Sequence, residues 1–123
     1  MIKLITSALQ PSLCSASEQQ SKPLRVGLFQ MRWDSDPKAH VARLHEGVAT
    51  CAHAGAELVF LPELTLSRYP ADKRPQGDKD RQPERLEDGP TVAFAQEAAR
   101  ANDVFVQVSL YEQADRDDGL GYN

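Results

Sequence analysis

Few residues in this chain have both the type and the setting to do chemistry, and Glu63 leads them. It follows the apolar run Leu58-Val59-Phe60-Leu61 and a proline, and precedes the turn-rich tail Leu64-Thr65-Leu66-Ser67-Arg68-Tyr69-Pro70. A carboxylate set directly after a buried strand is costly to desolvate, and burial drives such a group toward its neutral form. That property suits a general acid or base working near neutral pH. The competing reading is structural: Glu63 hydrogen-bonds the loop or helix that follows.

The other reactive side chains group poorly. Cys51 falls on the apolar stripe Val41, Leu44, Val48, Cys51 of a helical segment, where a cysteine serves as a small core residue. His40, His45 and His53 are offset by five and eight residues, so they do not converge on one helix face and read as solvated or capping histidines. With only Cys14 and Cys51 as thiols, there is no disulfide framework and no metal quartet. The segment Met31-Arg32-Trp33-Asp34-Ser35-Asp36 after the first strand has no glycine with which to cradle phosphate. Gly119-Leu120-Gly121 precedes no helical pattern, and no Gly-x-Ser-x-Gly elbow is present. The expectation is a site with no metal and no cofactor, built around one carboxylate.

The elements that must position Glu63 follow from periodicity. Residues 24–31 and 104–111 are apolar runs that predict strands, and residues 57–61 predict a third between them. Apolar residues on both faces of the first run predict a strand covered on both sides. Asp36 before Pro37 predicts a helix start, and the pattern then runs to about His53, closed by Gly55. Gly89-Pro90-Thr91 opens a second helix with Val92, Ala95, Ala98 and Ala99 expected inward, ended by Asn102-Asp103. The order β-α-β-α-β predicts three parallel strands sandwiched by helices. Chemistry in such sheets sits beyond the carboxyl ends of the strands, where Glu63, Ser109 and Glu112 are expected.

Composition bounds the rest. The chain has 123 residues, 41% hydrophobic and 26% charged, which suits one soluble α/β domain. A net charge of -4 argues against a nucleic-acid surface, and no apolar run approaches the ~20 residues of a membrane span. The cysteine usage fits a reducing, cytoplasmic setting. Residues 1–23, rich in Ser and Gln, predict a flexible N-terminal extension ahead of a folded portion over 24–123. Residues 71–88 are charged and proline-punctuated, and read as a solvated loop.

The block Phe60-Leu61-Pro62-Glu63-Leu64-Thr65-Leu66-Ser67-Arg68-Tyr69-Pro70 resembles the first catalytic signature of the nitrilase, or carbon–nitrogen hydrolase, superfamily. The context is similar too: a first strand ending in Gln30, a helix closing at Ala54-Gly55-Ala56, Gly89-Pro90-Thr91 before the second helix, and Val108-Ser109-Leu110-Tyr111-Glu112 with Gly121-Tyr122-Asn123. Within the superfamily the flavour is closest to N-carbamoylputrescine amidase-like members. The resemblance implies the first half of a four-layer αββα sandwich, homo-oligomeric when full length. It also implies a Glu-Lys-Cys triad that hydrolyses small amides, N-carbamoyl amines or nitriles. Glu63 matches the family glutamate. The family lysine and cysteine come later in the chain order, and neither Lys22, Lys38, Lys73, Lys79, Cys14 nor Cys51 stands in their places. The expectation is an N-terminal portion of a hydrolase, inactive alone. The alternative is a non-catalytic α/β module or truncated pseudoenzyme acting through protein interaction. Half a sandwich also leaves one apolar sheet face bare, which predicts poor solubility.

Overall fold

The computed structural model describes residues 1–7, 22–70, 83–113 and the backbone of 121–122. The expected N-terminal extension lies mostly outside the described residues, as do Cys14, Lys73, Lys79 and most of the charged loop. Three parallel strands, β1 (Val26–Leu28), β2 (Leu58–Phe60) and β3 (Phe105–Gln107), form a sheet in the order β1-β2-β3. The helices α1 (Pro37–His53) and α2 (Pro90–Asn102) make the two crossovers. An antiparallel pair, β4 (Glu112–Gln113) and β5 (Gly121–Tyr122), forms a second small sheet. The alternating α/β order is therefore as expected, although the ladders are shorter than the apolar runs that announced them. Single hydrogen bonds extend the ladders past the strand ends, from Phe29 N to Phe60 O (3.0 Å) and from Leu61 N to Gln107 O (3.2 Å).

Helix α1 begins where the sequence places it. The Asp36 carboxylate accepts from Lys38 N at 2.9 Å, and Pro37 occupies the first turn, where its missing N–H costs nothing. The helix ends at Ala54, and Gly55 takes φ +87°, a backbone region open to glycine without strain. Helix α2 has a glycine N-cap, Gly89, with no side chain to offer. Glu84 supplies the cap instead: its two carboxylate oxygens accept from Thr91 N and Thr91 Oγ1, both at 2.7 Å. Negative charge at a helix N-terminus also opposes the helix dipole favourably. The end of α2 is Asp103, at φ 53°.

The core lies on one face of the sheet. Leu44, Val48 and Cys51 of α1 meet Phe94 and Ala98 of α2 over Ala56, Val59 and Leu61. Gly27 permits this approach, since a Cβ there would stand 2.7 Å from Cys51 Cβ. Two expectations fail here. The buried face of α2 is Thr91, Phe94 and Ala98, with Val92, Ala95 and Ala99 only half-buried; Phe94 reaches α1, its ring edge-on to His45. Nor do the described residues cover the sheet on both sides. Alternate residues Gly27, Val59 and Val106 face both helices, whereas Val26, Leu28, Phe60 and Phe105 are exposed on the opposite face. No helix among the described residues is long and apolar enough to cross a membrane.

Candidate active site

Beyond Phe60 the central strand runs through Leu61 and Pro62 into a turn at the carboxyl edge of the sheet, and Glu63 stands on that turn. Its side chain is exposed, and among the described residues its carboxylate makes no hydrogen bond or ion pair. This corrects the sequence-based expectation of a buried carboxylate. The cause is the next residue: Leu64 adopts φ 51° and is buried to 2% exposure. Turning Leu64 down into the core turns Glu63 out. A left-handed non-glycine residue costs about 1–3 kcal/mol and persists only where its surroundings over-determine it.

Those surroundings converge on Thr65, which is 2% exposed. Its hydroxyl donates to Pro62 O at 3.0 Å, closing the turn around Glu63. The same oxygen accepts from Ser109 N at 3.1 Å, and Thr65 N donates to Ser109 O at 2.9 Å. Ser67 N donates to Leu64 O at 2.8 Å. The turn is thus tied to the segment after β3, and Ser109 lies at this edge as the sequence suggested, through its backbone. Glu112, also past the end of β3, pairs with Tyr122 in β4 and bridges to Glu84. Arg68 and Tyr69 are exposed, the latter at 47%.

A third tie comes from α1. His40 is 5% exposed and its Nε2 lies 2.9 Å from Thr65 O. Asp34 N donates to His40 Nδ1 at 3.4 Å, and the ring packs on Trp33 with centroids 4.3 Å apart. The expectation of a solvated or capping histidine is overturned for His40, because its side of the first turn of α1 faces the Glu63 turn while Pro37 and Lys38 face water. His45 is half-buried with its edge on Phe94, and His53 is exposed. Sequence reasoning missed His40, Thr65 and Glu84 as anchors. For Thr65 there was a signal: a lone hydroxyl between Leu64 and Leu66 needs a partner once its neighbours are buried.

The remaining reactive groups stay apart. Cys51 is a free thiol on the inner face of α1, and burial pushes its pKa up, away from the thiolate form that a nucleophile needs. Lys22 is exposed and 3.9 Å from Glu57. Among the described residues no three His, Cys, Asp or Glu side chains come together as a metal set.

No curated protein matches the chain. A family model described as carbon–nitrogen hydrolase does, over residues 25–123, a span that contains the whole parallel sheet, both helices and the Glu63 turn. The chain therefore belongs to the carbon–nitrogen hydrolase family, and with that membership comes the general chemistry of carbon–nitrogen bond hydrolysis.

Proposed function

We propose that this chain supplies the general base, Glu63, of a hydrolase acting on small amides, N-carbamoyl amines or nitriles, with the N-carbamoyl amines favoured by the form of the signature block. The observation that carries this reading is a carboxylate that, among the described residues, has no partner and is held outward by a strained, well-braced turn at the carboxyl edge of a parallel sheet. Such a group is ready to take a proton without first breaking an ion pair. In the family's chemistry the glutamate accepts the thiol proton and the thiolate attacks the carbonyl or nitrile carbon. A lysine stabilises the negative charge that develops, and the proton held by the glutamate passes to the departing amine or ammonia. A nitrile first gives a thioimidate, which takes up one water before ammonia leaves, and a further water releases the acid from the thioester.

Cys51 does not fit the nucleophile's part, being buried against Gly27 with its thiol held protonated. This reading puts the lysine and the nucleophilic cysteine in sequence following Asn123, with residues 24–123 forming the N-terminal portion of the domain in a cytoplasmic homo-oligomer. The 123 residues alone then release no ammonia. The product of the complete gene, its intact mass measured from its own cell, releases ammonia from an N-carbamoyl amine. Glu63→Gln lowers that rate by about a hundredfold or more. It leaves stability within about 0.5 kcal/mol, since the side chain is exposed and its carboxylate makes no hydrogen bond or ion pair among the described residues. Full activity in Glu63→Gln refutes the assignment, and ammonia release by the 123 residues refutes the partition of the triad.

A second reading rests on the exposed face of Val26, Leu28, Phe60 and Phe105, which suits a non-catalytic module that docks a protein partner. It takes the lead if the native mass equals the 13.6 kDa of this chain and no turnover accompanies it.

A further inference from the structure

His40 is a buried imidazole that the proposed chemistry does not use, yet it touches the turn that carries the candidate base. The partners of its two ring nitrogens select its tautomer. A peptide N–H can only donate, so Nδ1, facing Asp34 N at 3.4 Å, is the acceptor. A peptide carbonyl can only accept, so Nε2, 2.9 Å from Thr65 O, carries the proton. Neutral Nε2–H is the one form of the ring that satisfies both neighbours, and no buried side-chain polar atom among the described residues is left without a partner.

We propose that His40 is a positioning residue: as the neutral Nε2–H tautomer it holds the left-handed turn at Leu64 closed and so fixes where the Glu63 carboxylate points. The functional part of this inference rests on Glu63 being the base. The geometric part stands on the contacts alone. Thr65 N and Oγ1 secure the turn to Ser109 and to Pro62, which fixes it on the β3 side. On the α1 side the His40 bond is the polar tie that the structure provides to the Thr65 carbonyl. Leu64, the strained residue, lies between the exposed carboxylate and that carbonyl. Packing of Trp33 on the ring, 4.3 Å between centroids, limits the imidazole's freedom to turn away.

The test compares His40→Leu with His40→Gln, whose terminal amide reaches about as far as Nε2 and donates to the same carbonyl. Long-range nitrogen–proton NMR on the wild-type ring is expected to show neutral Nε2–H. In His40→Leu, amide exchange at Thr65 and Ser67 accelerates by about tenfold, the scale of one lost hydrogen bond. The Cα and Cβ shifts of Leu64 move away from left-handed values. Amides of Val48, Cys51 and Val59 keep their protection, and His40→Gln restores Thr65, Ser67 and Leu64. A uniform rise in exchange across α1 and β2, or failure of glutamine to rescue, overturns the proposal and leaves His40 as core packing. An Nδ1–H tautomer overturns it as well. In the complete gene product His40→Leu lowers kcat with little change in KM. If Glu63→Gln is fully active while the exchange pattern is as expected, the reading of Glu63 has failed and the positioning of the turn has not. If Glu63→Gln is inactive and His40→Leu is unchanged in exchange and kcat, this inference alone has failed.

Discussion

Replacing Thr65 by valine keeps the side chain's volume and branching but removes the hydroxyl that closes the Glu63 turn. Two hydrogen bonds disappear, to Pro62 O at 3.0 Å and from Ser109 N at 3.1 Å. Each contributes roughly 1 kcal/mol net, and stranding polar atoms at a site 2% exposed adds about 1 kcal/mol more. The new methyl recovers about 0.8 kcal/mol of burial. The backbone ties from Thr65 N to Ser109 O and from His40 Nε2 to Thr65 O survive. The balance is a destabilisation of about 2 kcal/mol, or about 8 °C in Tm for a chain of this size. Urea denaturation at low protein concentration, followed by the fluorescence of the single tryptophan, Trp33, measures it. Thr65→Ser, which keeps the hydroxyl and loses a methyl, costs about 1 kcal/mol. If the valine variant falls within about 0.5 kcal/mol of wild type, or serine proves the worse of the two, the hydroxyl is not what secures the turn.

Other outcomes follow from the same packing. Glu84→Ala removes the carboxylate that caps α2 through Thr91 and lowers stability by roughly 2 kcal/mol, read by the same denaturation, whereas a cap of no consequence leaves it unchanged. Cys51 resists iodoacetamide at pH 8 in the folded protein and reacts promptly in urea; mass spectrometry of the labelled chain distinguishes this from an exposed, reactive thiol. Leu28→Thr with Phe105→Thr, at positions 78% and 77% exposed, raises the soluble fraction and reduces binding of an apolar dye without lowering Tm. An unchanged soluble fraction would mean that this face does not govern association.

The helices and the parallel order were readable in the sequence because they depend on local signals. Asp36-Pro37, Gly55 and Gly89-Pro90 mark their element ends by backbone chemistry that operates within a few residues. The place of Glu63 at the sheet's edge was legible for a related reason: an apolar run that stops at Pro-Glu sets a carboxylate at a strand's end whatever the rest of the chain does. Its exposure was not readable, because it is decided by Leu64 turning left-handed, and nothing in a leucine announces that. His40 and Glu84 were missed since their partners, Thr65 and Thr91, are 25 and seven residues away, and only the tertiary arrangement joins them. The bare sheet face was misjudged on β1 because alternation reports which residues are apolar and not whether a layer is present to cover them. The same face was anticipated once half a sandwich was in view.

The turn around Glu63 separates two kinds of selection. Leu64 is held by burial, Thr65 by four hydrogen bonds and the His40 ring by two, so stability alone preserves all three. Glu63 is exposed, and among the described residues no hydrogen bond or ion pair requires it to be an acid. A lineage that loses the need for catalysis keeps the turn and lets position 63 drift to any residue that tolerates solvent. Persistence of glutamate at that position through divergent descendants would then be a record of chemistry, unconfounded by folding.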